Sequence, residues 1–329
     1  PREDQALPRY LNQHIEWRED MQHELTKEIQ GEYSYGIGPY KEPVLRIEPG
    51  DTVAVHTVDA FEGKITSESV KPSSIATLPF VNPLCGPIWV DGAQPGDVLA
   101  VDILSIQPVG PQPRGVTCLQ KYFGLLSPTA SSLSEPFPEI VKRVNVTNEG
   151  IFWSEEIVFP YEPFVGTIGT APRVATINSL TPDNHGGNMD LPDVTPGSTI
   201  YLPVRAEGGL LYLGDIHACQ GDGELCGVAI EMASLTEIKI NLIKDLPLAW
   251  PRLEDEDRIM SIGSSKPLED AVKIAYNDLI HWMVDSYGFD KWDAYFILTQ
   301  AGRVRIANVV DPLYTAGAWI DKRYLKSGK

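Results

Sequence analysis

Forty-five acidic residues against 27 basic ones give this 329-residue chain a formal charge of −18. Such a surface repels phosphate backbones, so nucleic acid is excluded as an expected partner. The 43% hydrophobic content supports a substantial core in one large or two moderate domains. No stretch, however, approaches the roughly 20 apolar residues of a membrane helix, and membrane is excluded in the same way.

The chain opens with "PREDQALPRYLNQHIEWRED", which has no apolar signal-peptide core, so the expected compartment is cytoplasmic. Residues 1–43 are polar and carry His14 and His23, whose spacing fits neither a metal loop nor a helical pair. They are expected to form an arm, extended or helical, against a partner subunit.

Residues 44–245 read as a β-rich body. "VLRIEPGDTVAVHTVDAF" gives a strand, a Pro49-Gly50-Asp51 turn and a second strand. The device returns at Pro95-Gly96-Asp97 and again at Pro196-Gly197-Ser198. Proline presets the first turn dihedral and glycine accepts the positive φ beside it, which predicts type II turns. The spacing of the three turns is too irregular for a solenoid, and a β-barrel or sandwich core follows. "GVTCLQKYFGLLSPTASSLSEPFPEIVKRVNVTNEG" is loop-rich, as an excursion near a binding site or interface would be.

The remainder, residues 246–329, contains α segments. In "PLEDAVKIAYNDLIHWMVDSYG", Leu268, Val272, Ala275, Leu279, Ile280, Met283 and Tyr287 make a stripe of helical period, started at Pro267 and stopped at Gly288. His281 in this helix reads as structural or superficial. A shorter helix is predicted from Asp290 to Gly302, followed by a last strand in "VRIANVVDP". The fold class expected is mainly β with α segments (α+β).

Four cysteines (Cys85, Cys118, Cys219, Cys226) lack the paired short spacing of a zinc ribbon and read as small buried thiols in a reducing compartment. His217, two residues from Cys219, keeps a cysteine nucleophile as a minor alternative.

The chemistry gathers in "GDIHACQGDGE" and "HGGNMD". Asp215 and His217 are two apart, which on a strand places both on one face. The turn at Gly221-Asp222-Gly223 can swing Glu224 back toward them. His185 and Asp190 are ligand types, Gly186 and Gly187 permit close backbone approach, and Asn188 offers both a donor and an acceptor. In "HTVDAF", Asp59 stands where a strand should end, with His56 three residues earlier. The acidity of the chain as a whole is ordinary surface solubility for most carboxylates, with some turned inward toward cations.

"PGDTVAVHTVDAFEGKI", "GPIWVDGAQPGDVLAVDIL", "HGGNMD", "GSTIYLPV" and "GDIHACQGDGELCGVAIE", in that order, resemble the acetamidase/formamidase family, and the likeness continues to "WDAYFILTQAGRVRIANVVDP". The resemblance implies a catalytic domain over 44–329, a fold with a swivelling β/β/α component, and a homo-oligomer, at least a dimer. It implies a metal-dependent hydrolase that turns small aliphatic amides (formamide- or acetamide-like) into carboxylate and ammonia, using Zn2+, sometimes with Ca2+ or a second divalent cation. The matching polar positions are Asp59, His185, Asp190, Asp215, His217 and Glu224. The expected division of labour puts Asp59, His185, Asp190, Asp215 and His217 around the metal and Glu224 as the proton carrier. Asn188 and the N–H groups of Gly186-Gly187 would meet the substrate oxyanion. The chain departs from the family at His56 and over the stretch from Cys118 to Asn148, so a larger or more polar C–N substrate, urea- or carbamate-like compounds included, is an alternative. A calcium-stabilised binding module without catalysis is the other; the histidines weigh against calcium as sole metal.

Overall fold

In the computed structural model, residues 21–110, 112–129 and 133–325 are described. The strand Ser234–Ile243 alternates buried and half-buried positions along its first eight residues, the period-two signature of a pleated strand. It sits inside a nine-stranded sheet whose order is Gln22–Leu25, Thr52–Thr57, Ser234–Ile243, Val98–Pro108, Thr199–Pro203, Arg252–Glu254, Arg258–Ser265, Tyr314–Asp321 and Arg303–Asn308. Every pairing is antiparallel except that of Gln22–Leu25 with Thr52–Thr57.

A second sheet holds Gly186–Asn188, Phe164–Thr170, Leu211–His217, Leu84–Val90 and Leu45–Ile47. All seven residues of Phe164–Thr170 and all seven of Leu211–His217 are buried, so both faces of these strands are covered. One apolar core joins the sheets: Val53, Val101 and Ile238 of the first pack with Ile88, Val165 and Leu213 of the second. The sheets are open rather than closed, which selects the sandwich over the barrel. A four-stranded sheet, Val158–Phe159, Gly150–Phe152, Ile140–Thr147 and Arg114–Leu119, abuts the second through Glu231, which bridges to both Val116 and His217.

The three predicted turns share one construction. The N–H groups of Asp51, Asp97 and Ser198 donate to the carbonyls of Glu48, Gln94 and Thr195, three residues back. Their side chains in turn accept from the N–H groups of the same three residues. Gly50, Gly96 and Gly197 lie at φ 96°, 102° and 94°, the value a type II turn demands at that position.

After a short helix α1 (Lys27–Gln30), the two predicted helices appear as α2 (Leu268–Tyr287) and α3 (Lys291–Ala301). Gly288 closes α2 at φ 74°, and Asp290 caps α3 by accepting from the N–H groups of Trp292 and Asp293. Trp282, Leu279 and Met283 of α2 pack with Val98, Ala100, Tyr201 and Ile259 on one face of the large sheet, while Leu99, Val101, Ile200 and Met260 point into the core between the sheets. Helices, large sheet and second sheet are thus three layers. A Cβ on Gly263 would stand 2.3 Å from the carbonyl oxygen of Ala271, so α2 lies against this strand only because glycine is there.

Two expectations change. Residues 21–43 are woven into the body: Leu25 and Ile37 are fully buried, and Gly36–Ile37 pairs with Ile177–Asn178. Residues 1–20, with His14, lie outside the described residues. Arg303–Asn308 is also not the last strand, because Tyr314–Asp321 inserts beside it. The body and the α-containing C-terminal part share the large sheet and its core.

Candidate metal centre and its cavity

Leu211–His217 brings Asp215 and His217 to the edge of a cavity of about 550 Å³. Gly166, on the neighbouring strand, lets them and Asp190 come together. A Cβ there would stand 2.7 Å from the Asp215 carbonyl oxygen, 2.8 Å from His217 Cε1 and 3.0 Å from Asp190 Oδ1. The Gly221–Gly223 turn is stitched to Arg303–Asn308 by the Gly223 N–H, which donates to Ile306 O at 2.9 Å, and this returns Glu224 to the same place. Asp190, Asp215, Glu224 and Asn82 all hold left-handed backbone, at φ 46°, 57°, 49° and 53°. Aspartate and asparagine tolerate that region and glutamate does so less readily, a concentration of strain typical of functional sites.

Ligand atoms converge in two groups, Asp190–His217–Glu224 and Asp215–His217–Glu231, each within 4.8 Å of one another. His217 belongs to both, so they form one extended site. His217 Nε2 lies 3.2 Å from Glu231 Oε2 and 3.5 Å from Asp215 Oδ1. Around this set runs a hydrogen-bonded support. Asn82 Nδ2 donates to Asp215 Oδ2 at 2.8 Å, and the Thr167 hydroxyl lies 3.1 Å from the same oxygen and in a shorter contact with Asn188 Oδ1. Asn188 Nδ2 donates to Asp311 Oδ2 at 2.9 Å.

Five buried carboxyl groups, those of Asp190, Asp215, Glu224, Glu231 and Asp311, thus surround one imidazole. Burial, then neighbouring Asp215, pushes Asp190 up to about 6. Burial pushes Glu231 up to about 8, partly offset by His217. Glu224 and Asp311 are raised by burial first and by Asp190 next. For His217, burial acts downward, yet Glu231 and Asp215 override it and raise the imidazole. Both oxygens of Asp190, both nitrogens of His217 and Glu231 Oε2 are buried without a well-aligned hydrogen bond, the 3.2 Å approach of His217 Nε2 to Glu231 Oε2 being a charge contact. Buried polar atoms are normally satisfied. A divalent cation would satisfy one nitrogen of His217 together with the carboxylate oxygens beside it and relieve the crowded negative charge, and imidazole with carboxylate oxygen is a donor set that zinc accepts.

Of the residues expected from sequence, Asp190, Asp215, His217 and Glu224 come together. Asp59 and His185 do not: neither belongs to either ligand group. Asp59 Oδ1 accepts from the N–H groups of Phe61 (2.8 Å) and Gly63 (3.0 Å), closing a turn that delivers Ala60 and Phe61 to the cavity wall. A turn-capping carboxylate is what the end of that strand required. His185 is fully buried in neither ligand group, with burial and then Arg205 lowering its pKa to about 4.

Gly186 and Gly187 lie in a buried strand, where a Cβ would strike Ile168 O (2.3 Å) and Thr181 O (2.4 Å); they serve packing and do not line the cavity. Asn188 does line it, but both ends of its amide are already engaged, so its observed work is to position Asp311 and Thr167. His56 is paired with Glu24 at 2.7 Å, away from the cluster. Burial raises the Cys219 thiol to about 11, which leaves it protonated and a poor nucleophile at neutral pH.

Glu231, Asp311, Asn82 and Thr167 are the additions. Glu231 ends "GVAIE" and Asp311 ends "NVVD", each a lone acid closing an apolar run, a signal that marks inward-facing carboxylates. A second hollow of about 460 Å³ beside Tyr161 and Arg305 contains none of these groups.

The Acetamidase/Formamidase family model matches residues 37–180 and 173–320. A formamidase of Methylophilus methylotrophus is 30% identical over 252 residues, covering 61% of this chain and 62% of the relative. An acetamidase of Mycolicibacterium smegmatis is 29% identical over 258 residues, covering 60% and 63%. The match therefore spans about three fifths of the length of these curated relatives. The crystal structure of an acetamidase from Yersinia enterocolitica is 54% identical, covers 94% of each chain, and superposes with a TM-score of 0.93.

Proposed function

The chain belongs to the acetamidase/formamidase family, and from that premise we propose that it is a metal-dependent amidohydrolase, cleaving the C–N bond of a small aliphatic amide to carboxylate and ammonia. The observation that carries this reading is the buried set of Asp190, Asp215, His217, Glu224 and Glu231, with its partnerless donor atoms, on the wall of a cavity large enough for an amide.

His217, Asp190, Asp215 and Glu231 would hold the cation, zinc by donor chemistry. When bound, such an ion polarises the amide carbonyl and lowers the pKa of water from about 15.7 to roughly 7. Glu224 is 7% exposed where Asp190, Asp215 and Glu231 are 1–2% exposed, so it is the acid of the set with most access to the cavity. It receives the water proton and later delivers it to the departing nitrogen, because an unprotonated amide nitrogen leaves poorly. Asn82 and Thr167 keep Asp215 oriented, and Asn188 keeps Asp311 in place.

The same proposal includes a reducing, cytoplasmic compartment, supported by four free cysteines. It also includes a homo-oligomer, supported by Trp292, Tyr295 and Phe296, 56–69% exposed on one face of α3. No helix among the described residues is long and apolar enough to cross a membrane.

Replacing Glu224 by Gln tests the reading. The expected result is retained zinc and fold with turnover lowered about a hundredfold or more, the scale of a lost acid–base group. Wild-type ammonia release from that variant would remove Glu224 from its role. His217→Ala should lose zinc in elemental analysis; unchanged content would exclude it as a ligand.

A further inference from the structure

The cavity is much larger than a one- or two-carbon amide requires. Its volume is about 550 Å³, whereas acetamide has four heavy atoms. Besides the carboxylates, Phe61, Leu78, Tyr122, Phe123, Leu180 and Val310 line the cavity and give it an apolar stretch of wall, with Leu78 and Tyr122 on its exposed side. Phe61 is buried, and Phe123 packs into the same apolar cluster. The Phe123 ring is seated against Gly227, where a Cβ would stand 2.3 Å from Cε1, so this part of the wall is fixed three residues from Glu224.

Two lysines, Lys121 and Lys266, also border the cavity. Lys266 Nζ donates to Asp311 O at 3.2 Å and lies 4.3 Å from the Tyr314 ring centroid, while Lys121 Nζ lies 3.8 Å from Glu139 Oε2. The carboxyl groups of Asp190, Asp215, Glu224, Glu231 and Asp311 in the same lining outnumber these two cations and disfavour an anionic tail.

We propose that this wall receives the acyl half of the substrate, so that the preferred compounds are primary amides of neutral, apolar acyl groups, straight-chain or aryl, larger than acetyl. The inference rests on the amidohydrolase reading above and names the substrate class of that site. Each methylene transferred from water to an apolar wall gains about 0.8 kcal/mol, close to fourfold in binding when fully realised.

The test is ammonia release by the zinc-loaded full chain from acetamide, hexanamide, phenylacetamide and succinamate, each as kcat/KM. Hexanamide and phenylacetamide should exceed acetamide at least tenfold, and succinamate should fall well below hexanamide. Phe123→Ala should cut the hexanamide-to-acetamide ratio at least fivefold, and Phe123→Leu, which keeps most of the packing, should cut it less. Acetamide turned over as well as or better than hexanamide and phenylacetamide overturns the inference and leaves the amidohydrolase reading intact. Succinamate equal to hexanamide overturns the apolar preference, and an unchanged ratio in Phe123→Ala removes that residue from the wall. If none of the four is hydrolysed, the amidohydrolase reading itself fails and this inference falls with it.

Discussion

Asp190 and Asp215 each hold left-handed backbone, and each is brought beside His217 across Gly166. That glycine carries no chemistry, yet the site depends on it. Adding one methyl in Gly166→Ala forces the Asp215 carbonyl, the His217 ring or the Asp190 carboxylate to move, an overpacking cost of about 1–3 kcal/mol. Zinc content and melting temperature should both fall, read by elemental analysis and calorimetry; unchanged zinc would show that the ligands tolerate displacement. Asp190, Asp215, His217 and Glu224 were legible in the sequence because acids and histidines cluster there among glycines. Asp59 and His185 have the same residue types, but one closes a turn and the other fills the interior. Residue type and spacing do not distinguish a ligand from a turn cap, since a carboxylate accepts N–H groups as readily as it binds a cation.

The strand Arg303–Asn308 lies at the edge of the large sheet yet governs a loop remote in sequence. Besides the Gly223 hydrogen bond, Arg305 joins Asp222 (Nε to Oδ1, 2.9 Å) and Asp193 (Nη1 to Oδ2, 2.9 Å), tying down the turn that precedes Glu224. Arg305→Ala should therefore lower kcat severalfold while zinc content stays unchanged, with Arg305→Lys recovering part of the loss. An unaltered kcat would mean that the Gly223 contact alone holds the loop. Among the elements, α2, α3 and the three Pro-Gly turns were readable because caps and turn residues act locally. Tyr314–Asp321 escaped because its "YTAGAWID" run is small and buried on both faces, giving no alternation to detect. Glu231 and Asp311 escaped because their importance arises where separate sheets and loops meet.

Across the whole molecule, a net charge of −18 is easily carried at the surface, but five carboxyl groups in one interior pocket are not. Glu231 is moved from 4.5 to about 8 and Asp190 from 3.8 to about 6, so the folded chain holds protons that the unfolded chain has released. Stability of the chelated protein should accordingly fall as pH rises from about 4 to about 8. His217, raised above 6.5, works in the same direction: its contribution is full below 6.5 and lost as pH passes its folded value. Zinc, which binds the deprotonated groups, should restore the melting temperature most at the alkaline end. Melting curves of chelated and zinc-loaded protein across that range check this; a chelated protein that gains stability toward pH 8 would contradict it. The sequence by itself determined the β-rich class, the turns, the two long helices and four of the converging side chains, because each is written in contacts between near neighbours or in a short ordered motif. Which acids share the cavity, which polar residues only support the backbone, and how much room faces the reacting bond were decided by tertiary structure alone. These depend on strands more than a hundred residues apart lying within a few ångströms, and local pattern carries no record of such distances.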